Sequence, residues 1–220
     1  MKIALIGYGK MGHMIEEIAL SRGHEIVARI DIGTPFELNN AEVAIEFSTP
    51  ATAKDNILRA WAQGVPVICG TTGWNVEELR DESLELREVE SGKMIVDKQG
   101  KIKLVWKSNF SIGVNIFFEL NKALASQMSN IQSQMGQCPY TPSITETHHI
   151  HKLDKPSGTA KTLAEQIGTN VPIESIREGE VPGTHEVKWD SEEDTIIITH
   201  IAKGRRGFAL GAVLEAEKII

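Results

Sequence analysis

The chain has 220 residues, with 23 Lys plus Arg against 30 Asp plus Glu and a formal charge of -7. That length fits one large domain or two small ones, and 41% hydrophobic with 24% charged residues is an ordinary globular composition, which excludes wholesale disorder and a collagen-like repeat. An acidic balance without a Lys- or Arg-rich run argues against nucleic acid or an anionic membrane surface as partner.

Met1 to Gly7 holds too short an apolar run for a signal-peptide core, and no later run reaches the length of a membrane span, so a cytoplasmic protein is expected. Lys2 to Ile6 is a short β-type run. Met11 to Arg22 carries apolar residues at helical spacing (Met11, Met14, Ile15, Ile18, Ala19), and Gly23 stops it. Glu25 to Asp31 reads as a second strand, Val43 to Ser48 as a third, and Pro50 to Gln63 as a helix closed by Gly64. Pro66 to Cys69 is a fourth strand, and Asn75 to about Val89 is expected to be a polar helix. Strands alternating with helices predict right-handed βαβ units on a parallel sheet.

Met94 to Asp97 and Lys101 to Trp106 flank Lys98-Gln99-Gly100, which predicts a hairpin, although the second arm also suits a fifth parallel strand. From Ser111 the pattern changes to an apolar helix (Ile116, Phe117, Leu120, Leu124), a strand near Ser143 to Glu146 and a helix from Thr159 to Ile167. Strands near Glu186 to Trp189 and Thr195 to Ala202, joined by Ser191-Glu192-Glu193, are expected to be antiparallel, and a helix from Phe208 to Ile220 closes the chain. The predicted fold is α/β: a Rossmann-type parallel-sheet domain over residues 1–109, completed by 206–220, and an α+β domain over 110–205.

Gly7-Tyr8-Gly9-Lys10-Met11-Gly12 is a GxGxxG string directly after a predicted strand and opening a predicted helix. Its glycines allow a tight turn and close approach to a pyrophosphate, whose charge meets the N–H groups of the helix N-terminus. Asp31 ends the second strand about 20 residues further on, where a carboxylate accepts hydrogen bonds from an adenosine ribose. A dinucleotide cofactor, NADH or NADPH, is therefore expected. Asp31 favours the ribose hydroxyls of NADH, while Lys10 either neutralises the extra phosphate of NADPH or is a solvated helix-start lysine. Phe47-Ser48-Thr49-Pro50 and Gly70-Thr71-Thr72-Gly73 follow the third and fourth strands, where an open α/β sheet binds its ligands; otherwise they are simple connecting turns.

The densest polar cluster runs from Glu146 to Ala160 and places His148, His149 and His151 within four positions, with Lys152 next. Without HExxH spacing or nearby cysteines, a metal site is not expected, and Cys69 and Cys138 form neither a zinc set nor a disulfide framework. Acid–base chemistry on an anionic substrate suits the cluster better than a solvated basic loop. Ser157, Gly158 and Thr159 precede a helix whose N–H groups suit a carboxylate, or are an ordinary cap. Arg205 and Arg206 stand at a strand-to-helix junction, to fork onto a second carboxylate or to be solvated.

The strings GYGKMG, EFSTP, GTTGW, SNFSIG, ETHHIHKLDKPSGTA, PGTHEV and HIAKGRRGFALGA resemble, in order and over nearly the whole chain, the dihydrodipicolinate reductase family of bacterial diaminopimelate and lysine biosynthesis. That resemblance implies a cytoplasmic homotetramer with a Rossmann cofactor domain, a substrate domain whose sheet builds the tetramer, and a C-terminal segment returning to the first domain. It implies a cyclic dicarboxylate substrate, with His148 as general acid and Lys152 as a substrate-binding residue that assists protonation. His149, Ser157, Gly158, Thr159 and Arg205 match substrate positions. Gly7, Lys10, Met11, Gly12, Asp31, Phe47, Gly70, Thr72, Ser108 and Phe110 match cofactor positions, with Asn109 nearby. Lys155 stands where the family has a small residue, the stretch from Asp31 to Val43 is short and lacks an arginine after Asp31, and the Glu90 to Lys103 region is longer than usual. Two other readings fit parts of the pattern: a dinucleotide-sensing regulator, which has no need of the histidine cluster, and a dehydrogenase of another small acid, which lacks the PSGT segment.

Overall fold

The computed structural model describes residues 1–89, 91–168 and 170–220, so the first residue of the long Glu90 to Lys103 region lies outside the described residues. The chain forms two compact units, one of Met1–Ser111 with Arg206–Ile220, the other of Ile112–Arg205.

The first unit is built on a seven-stranded sheet in the order β2-β1-β3-β4-β7-β6-β5. Strands β1 (Lys2–Ile6), β2 (Glu25–Ile30), β3 (Val43–Glu46), β4 (Val67–Cys69) and β7 (Ile102–Lys107) run parallel. All four residues of β3 and all three of β4 are buried, as strands covered on both faces require. Helix α1 (Lys10–Ser21) lays Ile15, Ile18 and Ala19 against Ile3, Leu5 and Ile45. Helix α2 (Pro50–Ala62) contributes Ile57 and Ala60 to a second apolar layer with Ala4, Ile6 and Val67. The closing helix α5 (Arg206–Lys218) adds Ala209, Ala212, Val213 and Ala216 to the α1 side, and the Lys107–Glu215 ion pair at 3.0 Å pins it to β7.

Residues 75–89 do not form the expected polar helix. They make a 3-10 turn (Val76–Leu79) and then strand β5 (Leu84–Val89), paired antiparallel with β6 (Gly92–Asp97). Leu84 and Leu86 pack on the core while Glu85 and Arg87 alternate outward, a two-residue period that favours a strand over a helix. Strands β6 and β7 form the expected hairpin, and β7 is also the fifth parallel strand beside β4, so both readings of that segment hold at once.

The second unit has a four-stranded sheet in the order β11-β10-β8-β9. Strands β8 (Thr141–His148), β10 (Thr184–Asp190) and β11 (Thr195–Ile201) are antiparallel neighbours, and β9 (Ile173–Arg177), which sequence reading missed, joins β8 in parallel. Helix α3 (Ile112–Met135), longer than its predicted apolar segment, and helix α4 (Gly158–Ile167) share a core with one sheet face. That inner face is graded. Ile144, Val187, Ile198 and Ile173 make an apolar row, and the next inward row in register is Glu146, His185, His200 and Ser175. His148 and Arg177 follow, paired across β8 and β9. The polar rows gather at one end of the sheet.

Candidate active site

In the first unit, β1 has β2 on one side and β3 on the other, so its carboxyl end is a topological switch point of the kind that holds nucleotides. Gly7 turns there with φ of +87°, and a Cβ on it would lie 2.2 Å from the Phe47 carbonyl oxygen. A Cβ at Gly12 would lie 2.5 Å from the Gly7 carbonyl oxygen, so two glycines let helix and turn touch. The first turn of α1 has neither a capping side chain nor an acidic residue, which leaves its N–H groups for an anion. Met11 is half-buried and Lys10 exposed on that turn. Asp31 directly follows β2, beside the Gly7 N–H that donates to the Ile30 carbonyl at 2.8 Å; its own Oδ1 accepts from the Ile32 N–H. These groups fit a dinucleotide: a bare helix end for phosphate and a carboxylate for ribose.

The loops after β3 and β4 are tied together. Phe47 packs its ring where a Cβ on Gly70 would sit, and lies 5.9 Å from the Phe110 ring. The Ser48 N–H donates to Thr71 Oγ1 at 2.9 Å, while Thr72 is exposed. Ser108, just past β7, hydrogen-bonds the Ser91 carbonyl through both its N–H and its hydroxyl. Fully buried Glu46, not singled out from the sequence, organises this corner by accepting from Ser48, Asn56 and the Cys69 thiol. Burial and the Glu46 charge push the Cys69 thiol well above its ordinary pKa, which makes it an inert core group.

In the second unit the expected catalytic and anion-binding residues converge. His148 Nδ1 lies 2.5 Å from Glu146 Oε2, an ion-pair contact. Glu146 Oε1 accepts from the Ser157 N–H at 3.2 Å and from Arg177 at 3.0 Å. Arg177 also donates to the Lys152 carbonyl at 3.2 Å and the Asp154 carbonyl at 2.5 Å, so it clasps the loop between β8 and α4. Lys152 Nζ pairs with Asp154 at 2.8 Å. Ser157 caps α4 by accepting from the Ala160 N–H and meets His185 Nε2 at 3.1 Å, with Gly158 and Thr159 next in the first turn. His149 is half-buried beside them. Arg205 is exposed beyond β11, and among the described residues no hydrogen bond or ion pair joins it to this group.

The electrostatics follow from burial. Desolvation disfavours the charge on Glu146, but hydrogen bonds from Ser175, Arg177 and Ser157 outweigh it and hold the carboxyl below its usual pKa. Burial lowers His148, although Glu146 opposes that, and burial lowers His185 to about 4, so His185 is neutral near pH 7. Glu146, His148 and His185 offer atoms within 4.8 Å of one another, enough in number for a metal. Arg177 and Lys152 border the same carboxylate and imidazole, a cationic setting that suits a proton and an anionic ligand better than a metal cation. Sequence reading missed Glu146, Arg177 and His185 as site residues. The first is the opening residue of the histidine string, but the other two reach it only through sheet register.

A Rossmann-type sheet with a glycine turn, and a second unit carrying a histidine–carboxylate pair beside an anion-ready helix end, define a nucleotide-binding oxidoreductase. The chain belongs to the dihydrodipicolinate reductase family: residues 1–110 match its N-terminal part and 113–220 its C-terminal part. Over 236 aligned residues it is 43% identical to the 4-hydroxy-tetrahydrodipicolinate reductase of Christiangramia forsetii, covering 99% of this chain and 91% of that protein. The enzyme of the same name from Thermosipho africanus is 31% identical, covering 100% and 92%. A dipicolinate-bound dihydrodipicolinate reductase from Paenisporosarcina sp. TG-14 has the same fold, with a TM-score of 0.73 at 20% identity over 99% of this chain and 94% of that one. Among the described residues, no helix is long and apolar enough to cross a membrane.

Proposed function

We propose that this oxidoreductase converts the unsaturated cyclic dicarboxylate formed from 4-hydroxy-tetrahydrodipicolinate by loss of water into tetrahydrodipicolinate, with NADH or NADPH, in diaminopimelate and lysine biosynthesis. The observation that carries this reading is the meeting of His148, Lys152 and the α4 N-terminus at the polar end of one sheet. The dinucleotide, when bound, supplies the hydride. The first unit, Met1–Ser111 with Arg206–Ile220, holds it: Gly7, Lys10, Met11 and Gly12 at the phosphates, Asp31 at the ribose, and Phe47, Gly70, Thr72, Ser108 and Phe110 along the loops.

The second unit, Ile112–Arg205, holds the substrate. Ser157, Gly158 and Thr159 present hydroxyl and N–H groups to one carboxylate, and Lys152, His149 and Arg205 supply cationic or polar partners for the dianion. Lys152 leaves Asp154 for the substrate, exchanging one anionic partner for another. His148 donates the proton that neutralises charge left on the ring by reduction. That the Paenisporosarcina protein binds dipicolinate, a cyclic dicarboxylate, supports this choice of ligand. We place the enzyme in the cytoplasm as a homotetramer assembled through the outer face of the four-stranded sheet, where Ile176, Ile197 and Ile201 are exposed.

Steady-state oxidation of NADH and NADPH with enzymatically generated 4-hydroxy-tetrahydrodipicolinate tests the reading. Wild-type protein is expected to turn over, and His148→Gln to lose about 10²- to 10⁴-fold in kcat with cofactor affinity unchanged. Equal turnover by the variant removes His148 as the acid, and no turnover by the wild type with either dinucleotide defeats the reading.

A further inference from the structure

Resting on the assignment of His148 as acid, we propose that Glu146 is a positioning residue: one buried carboxylate that fixes the His148 imidazole with Nδ1 inward and ties it to the substrate-binding loop. Glu146 is fully buried, and its two oxygens divide the work. Oε2 faces His148 Nδ1 at 2.5 Å, the one ion-pair partner this imidazole has among the described residues. Oε1 takes the Ser157 N–H and Arg177, whose remaining donors hold the Lys152 and Asp154 carbonyls. A single anion thus spans the acid, the helix cap and the loop that carries Lys152.

Gly183, opposite His148 on the adjoining strand path, completes the arrangement. It has φ of +149°, and a Cβ there would lie 3.0 Å from His148 Nε2. Glycine therefore keeps the outward ring nitrogen clear of side chain. With Nδ1–H committed to Glu146, Nε2 is the nitrogen that gives up the proton and is left with a lone pair, while the Nδ1 proton stays in place. Atoms balance: the N–H bond at Nε2 breaks as the new bond to the substrate forms, and no other group changes protonation.

The groups facing His148 act in opposite directions. Glu146 on its own strand favours the imidazolium, whereas burial, Lys152 from the loop and Arg177 on β9 disfavour it. On β10, neutral His185 packs edge-on with ring centroids 5.0 Å apart, and His200 on β11 stands beyond it, paired with His185 in register. Glu146 is the one group in this set whose charge keeps the acid loaded.

The test is Glu146→Gln, which keeps an oxygen for Ser157 but turns an N–H₂ toward Nδ1. The expected result is a loss of at least tenfold in kcat, with the alkaline limb of the pH–kcat profile moved to lower pH, because an imidazolium without its counter-charge releases its proton sooner. Glu146→Asp should recover part of kcat and return the limb toward the wild-type position. Dinucleotide affinity should not move. A purely structural role would lower stability without moving the pH profile, so a folded Glu146→Gln variant with the wild-type profile overturns the proposal. Should that variant not fold, nitrogen-15 spectra of histidine-labelled wild-type protein decide: neutral His148 is expected to carry its proton on Nδ1, and a proton on Nε2 overturns the proposal. Normal turnover by His148→Gln would overturn both this inference and the acid assignment. An impaired His148→Gln beside an unmoved Glu146→Gln profile overturns this inference alone.

Discussion

At Gly12 a single methyl group decides whether the first turn of α1 lies against the glycine loop. The nearest atom to an added Cβ is backbone, the Gly7 carbonyl oxygen at 2.5 Å, and backbone cannot swing aside as a side chain does. Gly12→Ala is expected to weaken dinucleotide binding by at least tenfold while far-UV circular dichroism stays native; unchanged affinity by calorimetry would contradict the assigned phosphate turn. Residues of this kind were legible in the sequence because GxGxxG encodes its geometry within six positions. His148, Lys152 and Ser157 were legible for the same reason, being neighbours in one string. Arg177 was not: it meets Glu146 only because β9 lies parallel to β8, a pairing no local pattern records. His185 was hidden likewise, its place beside Glu146 set by the β8–β10 register.

Among the elements, helix α5 shows how a tail becomes part of a core. Apart from Val213 its buried face is small residues, Ala209, Gly211, Ala212 and Ala216, so it approaches closely enough that a Cβ on Gly211 would strike the Phe110 carbonyl. Glu217 clasps it to the end of α1 by accepting from Arg22 through both oxygens, with His24 at 2.7 Å. The Arg22 hydrogen bonds, aided by His24, lower the Glu217 carboxyl to about 2. A depressed carboxylate stabilises the fold above the ordinary carboxylate range and ceases to do so as pH falls toward about 2. Because the pair is partly exposed, its contribution is at most about 1 kcal/mol. Glu217→Gln should therefore lower Tm slightly at pH 7 and by much less near pH 2; an equal deficit at both pH values would contradict the clasp. Pairing between elements also decides segment 75–89. Its charge density suggested a solvated helix, but the alternation of Leu84 and Leu86 with Glu85 and Arg87 finds a partner in β6, and tertiary pairing overrides the local impression.

For the molecule as a whole, the net charge of -7 conceals the sign of its functional surfaces. Both proposed ligands are anions, and in the proposed site local cations and helix ends, not bulk charge, would meet them. The α/β character and the chain's return to the first unit were legible from strand–helix alternation and the last apolar helix. The outer face of the second sheet was not, since only the completed register shows Ile197 and Ile201 on the side away from the helices. If that face builds the tetramer, Ile197→Asp should shift the sedimentation profile to smaller species, and an unchanged profile would remove this face from the assembly. The proposed reaction passes a hydride from the dinucleotide to the ring of a cyclic dicarboxylate. Mass spectrometry of the product made with cofactor deuterated at the transferring position tests it most directly. One deuterium per tetrahydrodipicolinate formed is the predicted result, and unlabelled product, or none, would contradict it.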